Sequence, residues 1–190
     1  MNATIKLNSI LIIIILPILA GCANPEYFVK NEKLLNSNKS KMEQIAVLPF
    51  SGEAAFSSEV SDLFAMQLLD GLKNKEIKII QPSNVKIVME EMKINMVFSD
   101  GTPSNKEILR LARLLHADAV IIGEVRSHQT GDTMNGFVTA KLIDTKTGEI
   151  IVASHRASGL LFGYSVHQCV IAATENVKAD MISVINEHFN

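Results

Sequence analysis

Ala119-Val120-Ile121-Ile122-Gly123 runs for five residues without one polar side chain. So short a run is a strand rather than a helix, and a strand apolar at every position is covered on both faces. Such a strand sits at the centre of its sheet and needs helices against it, which places the chain in the α/β class. Ile45-Ala46-Val47-Leu48-Pro49-Phe50 is a second run of this kind, closed by proline. Ile77–Ile80, closed by Pro82, is a third.

Helical spacing fills the intervals. Ser57 and Ser58 can cap a helix on which Val60, Phe64, Leu68 and Leu72 recur every four residues, with Leu63 beside them. Ser83 can cap another, carrying Ile87, Val88 and Met92. Glu90 and Glu91 are adjacent there and point apart, as a solvated face requires and a catalytic carboxylate pair does not. Ser104-Asn105-Lys106-Glu107 has capping-box form and opens a helix with Ile108, Leu111, Ala112 and Leu115 inward. His116 ends it, where a cation favours the dipole.

Two strands, Phe137–Ile143 and Ile150–Ser154, follow the central one. Gly148 supplies the left-handed position in the turn between them. The last helix, Ser165 to His188, places Val166, Val170, Ala173, Val177, Met181 and Val184 three and four apart. The expected order is β-α-β-α-α-β-β-β-α, a mixed sheet flanked by helices, over residues 44–190.

The first 43 residues are of another kind. Residues 1–21 carry one charge, Lys6, then an apolar run from Ile10 to Ala20 and the small residues Ala20 and Gly21. That is the plan of an export signal, and the run falls short of the ~20 residues a spanning helix needs. Leu19-Ala20-Gly21-Cys22 resembles the bacterial lipobox at all four positions. The resemblance implies cleavage before Cys22 and acylation (palmitate among the chains) on it. Ala23, where inner-membrane sorting uses Asp, implies the outer membrane and its periplasmic face. Residues 22–43, rich in Asn, Lys and Ser, read as the lipidated cysteine and a flexible tether, ~25 Å long from ~5–6 Å times the square root of its length.

Several functional classes find no residues here. Eighteen Lys+Arg against 20 Asp+Glu leave a net charge of -2 and no footprint for nucleic acid. With Cys22 acylated, Cys169 is a lone thiol at core spacing, and His167, two residues away on a helix, does not share its face. The histidines at 116, 128, 155, 167 and 188 are scattered without metal-ligand spacing. His128-Gln129-Thr130-Gly131-Asp132 reads as a polar hairpin tip, or else as the source of one metal ligand. There is no G-x-S-x-G elbow, no glycine-rich phosphate loop and no Trp. The expectation is no catalytic residue, no cofactor, no metal and no enzyme.

Three segments in order, IAVLPF from Ile45, ADAVIIGEV from Ala117 and AKLIDTKTGEI from Ala140, resemble the CsgG/HfaB family over residues 44–188. The pattern extends to lipoprotein activators of penicillin-binding synthases of the LpoB type, and the implied fold is like the N-terminal domain of TolB. The stretch Cys169–Glu175 is similar to the terminal helix of the curli channel. That channel inserts long amphipathic hairpins, each needing ~20 residues to cross a bilayer and return. Here the corresponding connections, Arg126–Gly136 and Ala157–His167, hold about half of that. The resemblance therefore implies the periplasmic domain without transmembrane hairpins or a pore.

Together these features imply an outer-membrane-anchored interaction or assembly component with a periplasmic or outer-membrane protein partner. An LpoB-like activator of a peptidoglycan synthase is one alternative. A ring-forming, homo-oligomeric accessory of a secretion or surface-appendage system is another. Gly159-Leu160-Leu161-Phe162-Gly163, the apolar stretch among the expected loops, either folds over the core or is exposed to a partner.

Overall fold

The computed structural model describes residues 26–37, 42–73, 76–93, 104–130, 133–161 and 165–189. Cys22, the signal segment 1–21 and residues 162–164 lie outside them. In chain order the elements are β1 (Tyr27–Lys30), α1 (Glu32–Ser37), β2 (Gln44–Val47), β3 (Ser51–Gly52), α2 (Ala54–Gly71), β4 (Lys78–Ile80), α3 (Pro82–Glu91), α4 (Asn105–Leu114), β5 (Ala119–Thr130), β6 (Thr133–Asp144), β7 (Ile150–Leu161) and α5 (Val166–His188). From residue 44 the expected order holds, with the two-residue β3 added.

The strands form one mixed sheet in the order β1-β7-β6-β5-β2-β4, with β3 also paired to β5. Successive strands along β5-β6-β7-β1 are antiparallel, whereas β2 is parallel to β5 and to β4, and β3 is parallel to β5. The Ala119–Gly123 stretch lies between β2 and β6, in the interior of the sheet, as its composition requires.

Alternation along the strands divides the core in two. One face presents Ile45, Val47, Ile121, Val125, Val138, Ala140 and Leu142 to α2 and α5, where Phe64, Leu68, Val177 and Met181 are fully buried. The other presents Ala46, Val120, Ile122 and Ile143 to α3 and α4, where Val85, Ile108, Leu111 and Ala112 close over them. The α4 capping box forms as expected, Ser104 with Glu107. His116 just past α4 takes φ +52°, the left-handed position in which glycine is commoner. Gly148 does the same at φ +75° in the β6–β7 turn.

Four expectations need correction. The first concerns the tether: residues 27–37 are strand and helix, not flexible chain. β1 pairs with β7 along its whole length, and Leu34 and Leu35 of α1 are buried. The segment looked aperiodic because a four-residue edge strand and a six-residue helix are too short to display a period.

Two helix starts also differ. α2 begins at Ala54, before Ser57 and Ser58, with Glu53 as N-cap. α3 begins with Pro82 at its first turn and Gln81 as N-cap, rather than from Ser83. Its inward residues are accordingly Val85 and Met89, with Val88 half-buried, while Ile87 and Met92 are about half exposed.

The fourth correction is to strand length. Arg126–Gly136 is largely ladder, since β5 and β6 stay paired out to Thr130 opposite Thr133. β7 likewise continues past Ser154 to Leu161, so Gly159, Leu160 and Leu161 are strand residues rather than loop. Arg126 and His128, among the polar side chains that suggested a loop, occupy a face that no described helix covers.

Candidate functional site

α3 and α4 cover only the β4-β2-β5 side of their face. Over β6, β7 and β1 no described helix covers the same face, and register fixes what stands on it. Glu124, Thr139, His155 and Tyr27 lie directly opposite one another on β5, β6, β7 and β1, making a row across four strands. Arg126, Phe137 and Ala157 form the next row toward the β5–β6 hairpin. All of these except Ala157, with Ser127 and His128, line a shallow depression of about 530 Å³.

Its centre is an imidazole held between two aromatic rings. Tyr27 stacks on His155 at 5.3 Å between ring centroids and 18° between planes. Phe137 stacks on the same imidazole at 6.2 Å and 7°. Ring pairs at these separations are worth ~0.5–1.5 kcal/mol beyond their buried area. Thr139 Oγ1 lies 2.8 Å from His155 Nδ1, which fixes the ring about its own axis. Toward β5, Arg126 and Glu124 pair at 2.6 Å, with Arg126 largely exposed. The depression thus offers ring edges, a hydroxyl and one ion pair, the vocabulary of a contact surface.

The layer beneath is tied together by charge. Arg156, on the opposite face of β7, donates from Nε and Nη2 to the two carboxylate oxygens of Asp180 on α5, at 2.8 and 3.0 Å. The Ser154 hydroxyl donates to Asp180 Oδ2 at 2.5 Å. Arg156 also reaches Glu26 at 3.3 Å, and Glu26 accepts from the Ala157 N–H at 3.1 Å. The hydrogen bond to Asp180, ahead of the opposing desolvation, holds the Arg156 guanidinium above its ordinary pKa. At the hairpin base, the Glu53 carboxylate accepts from the Ser127 N–H and hydroxyl at 2.7–2.9 Å.

Most residues singled out in the sequence are placed apart. Cys169 is fully buried, its Sγ 3.5 Å from the Met134 carbonyl oxygen, as core spacing predicts. His167 is on the surface beside Glu59, at 3.1 Å. His188 ends α5, 3.6 Å from Glu187, and Glu90 and Glu91 are exposed at the end of α3. Among the described residues no three His, Cys, Asp or Glu groups gather as a metal would require. No described helix is long and apolar enough to cross a membrane. Of the five histidines, His155 and His128 line the depression. Phe137, Thr139 and Tyr27 went unrecognised as a group. The alternation Phe137-Val138-Thr139-Ala140-Lys141 was legible, but nothing in it says that the outward side stays bare.

No family model matches the chain, and no curated protein matches it in sequence. Among solved structures it is similar to a PelC dodecamer subunit from Paraburkholderia phytofirmans, at 15% identity, TM-score 0.47, covering 74% of this chain and 89% of that one. It is similar to lipoprotein GNA1162 from Neisseria meningitidis at 16% identity and TM-score 0.48, covering 72% and 98%. The C-terminal domain of LpoB from Escherichia coli matches at 16% identity and TM-score 0.41, covering 66% and 90%.

Proposed function

We propose that this chain is a lipoprotein of the outer membrane, acylated on Cys22, that faces the periplasm and acts without catalysis as an interaction or assembly component of the cell envelope. The domain would be CsgG-like without the pore. The observation that carries the interaction role is the half of the sheet that no described helix covers, where exposed Tyr27 and half-buried Phe137 stack on half-buried His155 beside the Glu124–Arg126 pair. A sheet face with aromatic side chains and no described helix over it is an unspent surface, and such surfaces mark contact sites. The lipobox resemblance supplies the location.

The alternative of an LpoB-like synthase activator requires reach to a distant membrane. The start of β1 at Tyr27 leaves three residues between Cys22 and the fixed Glu26, which speaks for a partner close to the outer membrane. Ring assembly with copies of itself is the second reading, because the same bare face can serve a second copy. A photoreactive residue at position 137, activated in intact cells, tests the role. A discrete adduct that is absent from position 87 supports it, and an adduct at a multiple of the chain's own mass assigns the surface to self-assembly. No adduct from position 137 removes the interaction role from this face.

A further inference from the structure

β1 runs antiparallel to β7, so chain entering β1 arrives from the Leu161 end of the sheet. It is fixed at Glu26, whose carboxylate takes the Ala157 N–H and one Arg156 nitrogen while Arg156 is gripped by Asp180. Cys22 is four residues before Glu26 and spans at most ~14 Å from it, at ~3.3–3.6 Å per residue. Gly159, three residues along β7 from Arg156, is ~10 Å from that level in the same direction. The opposite corner lies far away. β2 is four strands across the sheet from β1, ~19 Å at ~4.8 Å per strand, and α3 stands beyond it in a separate layer.

We infer that the corner of the sheet made by the start of β1 and the end of β7 rests on the phospholipid bilayer that holds the acyl chains, with α3 turned away from it. The inference rests on the acylation of Cys22 proposed above. Three intervening residues give the domain no room to stand off or to turn over, whereas a 21-residue tether would have allowed both. Tyr27 and Val29 on β1, 41% and 58% exposed, lie at this side, so the bare aromatic face opens beside the membrane rather than out into the periplasm.

The test uses the full acylated chain in vesicles of phosphatidylethanolamine and phosphatidylglycerol containing a doxyl-labelled lipid. A bimane fluorophore is attached in turn at G159C, an exposed strand position, and at I87C on α3. Mass spectrometry of the same samples reads the acyl chains on Cys22. Quenching at position 159 should exceed that at position 87 by at least twofold. A twelve-residue Gly-Ser insertion after Asn24 should erase most of the difference. Equal quenching at the two positions with Cys22 acylated overturns the inference and leaves the proposed function standing, as does a difference that survives the insertion. A Cys22 without acyl chains overturns both.

Discussion

At Gly136 the backbone of α5 lies hard against the sheet, and adding one methyl group there should be costly. A Cβ on Gly136 would lie 2.4 Å from the backbone nitrogen of Val170 and 2.6 Å from the carbonyl carbon of Cys169. Ordinary contacts of that kind are 3.4–4 Å, so β6 and α5 must separate by about 1 Å. Both obstructing atoms belong to helix backbone, which cannot rotate aside. The helix is also held by Val170, Ala173, Val177 and Met181, all fully buried, so a shift disturbs the whole stripe. Overpacking of this type costs ~1–3 kcal/mol, and the rigid obstruction puts Gly136→Ala in the upper half of that range. For a domain of this size each kcal/mol moves Tm by ~2–4 °C, which predicts a fall of ~4–12 °C.

Gly159→Ala is the internal comparison. Its Cβ meets Asn135 Oδ1 at 2.3 Å, the far end of a side chain on the exposed face that can swing away. Replacing a strand glycine whose backbone suits alanine returns up to ~0.4–1 kcal/mol through the unfolded chain. Gly159→Ala should therefore be neutral or slightly stabilising. Thermal and urea unfolding of residues 22–190, followed by circular dichroism, reads both variants. A Gly136→Ala protein within ~0.5 kcal/mol of the wild type would refute the reasoning, because the approach of α5 would then be soft.

Deleting residues 1–43 should lower stability and expose the β7 edge relative to deleting 1–25, because it removes β1, Leu34 and Leu35; identical urea midpoints for the two truncations would contradict the packing of α1. Asp180→Ala should cost ~1.5–3 kcal/mol, the range for a hydrogen bond to a charged group, since it removes the two-oxygen partner of Arg156, leaving the 3.3 Å contact to Glu26, and the acceptor of the Ser154 hydroxyl. Hydrogen bonding from Lys30, then its charge, lowers the Glu187 pKa. A depressed carboxylate contributes stability above its unfolded pKa and loses it as pH falls through the folded value, so Glu187→Gln should flatten the acid limb slightly. Cys169 should react with a thiol reagent only at the rate of global unfolding, and fast labelling in the native state would place it outside the core. Planar-bilayer recordings with the purified full chain should show no discrete conductance.

The core of this fold was legible because it is periodic. The two-sided apolar runs of β2 and β5, the capping box of α4 and the long stripe of α5 each span enough residues for sterics to leave one reading. Where the reading failed, pattern was short or masked. β1 and α1 have four and six residues, and tertiary pairing with β7 makes them, not propensity. The outer halves of β5, β6 and β7 carry Glu124, Arg126, His128, Thr139 and His155 on a side with no described helix over it, so polarity there signals an uncovered sheet rather than a loop. The start of α3 turned on Pro82, whose fixed φ suits a first helical turn better than Ser83 suits a cap. The candidate site was the least legible part. Tyr27 and Phe137 are 110 positions apart, and only the β1–β7–β6 register brings them onto one imidazole.

The central claim is that this domain works at the outer membrane, held there by lipid on one cysteine. Palmitate incorporation, measured in membranes separated by density, tests it most directly. The account predicts label on the wild-type chain in the outer-membrane fraction and none on a Cys22→Ala chain, which should also retain its signal segment. Label on the Cys22→Ala chain, or wild-type label confined to the inner-membrane fraction, would contradict it.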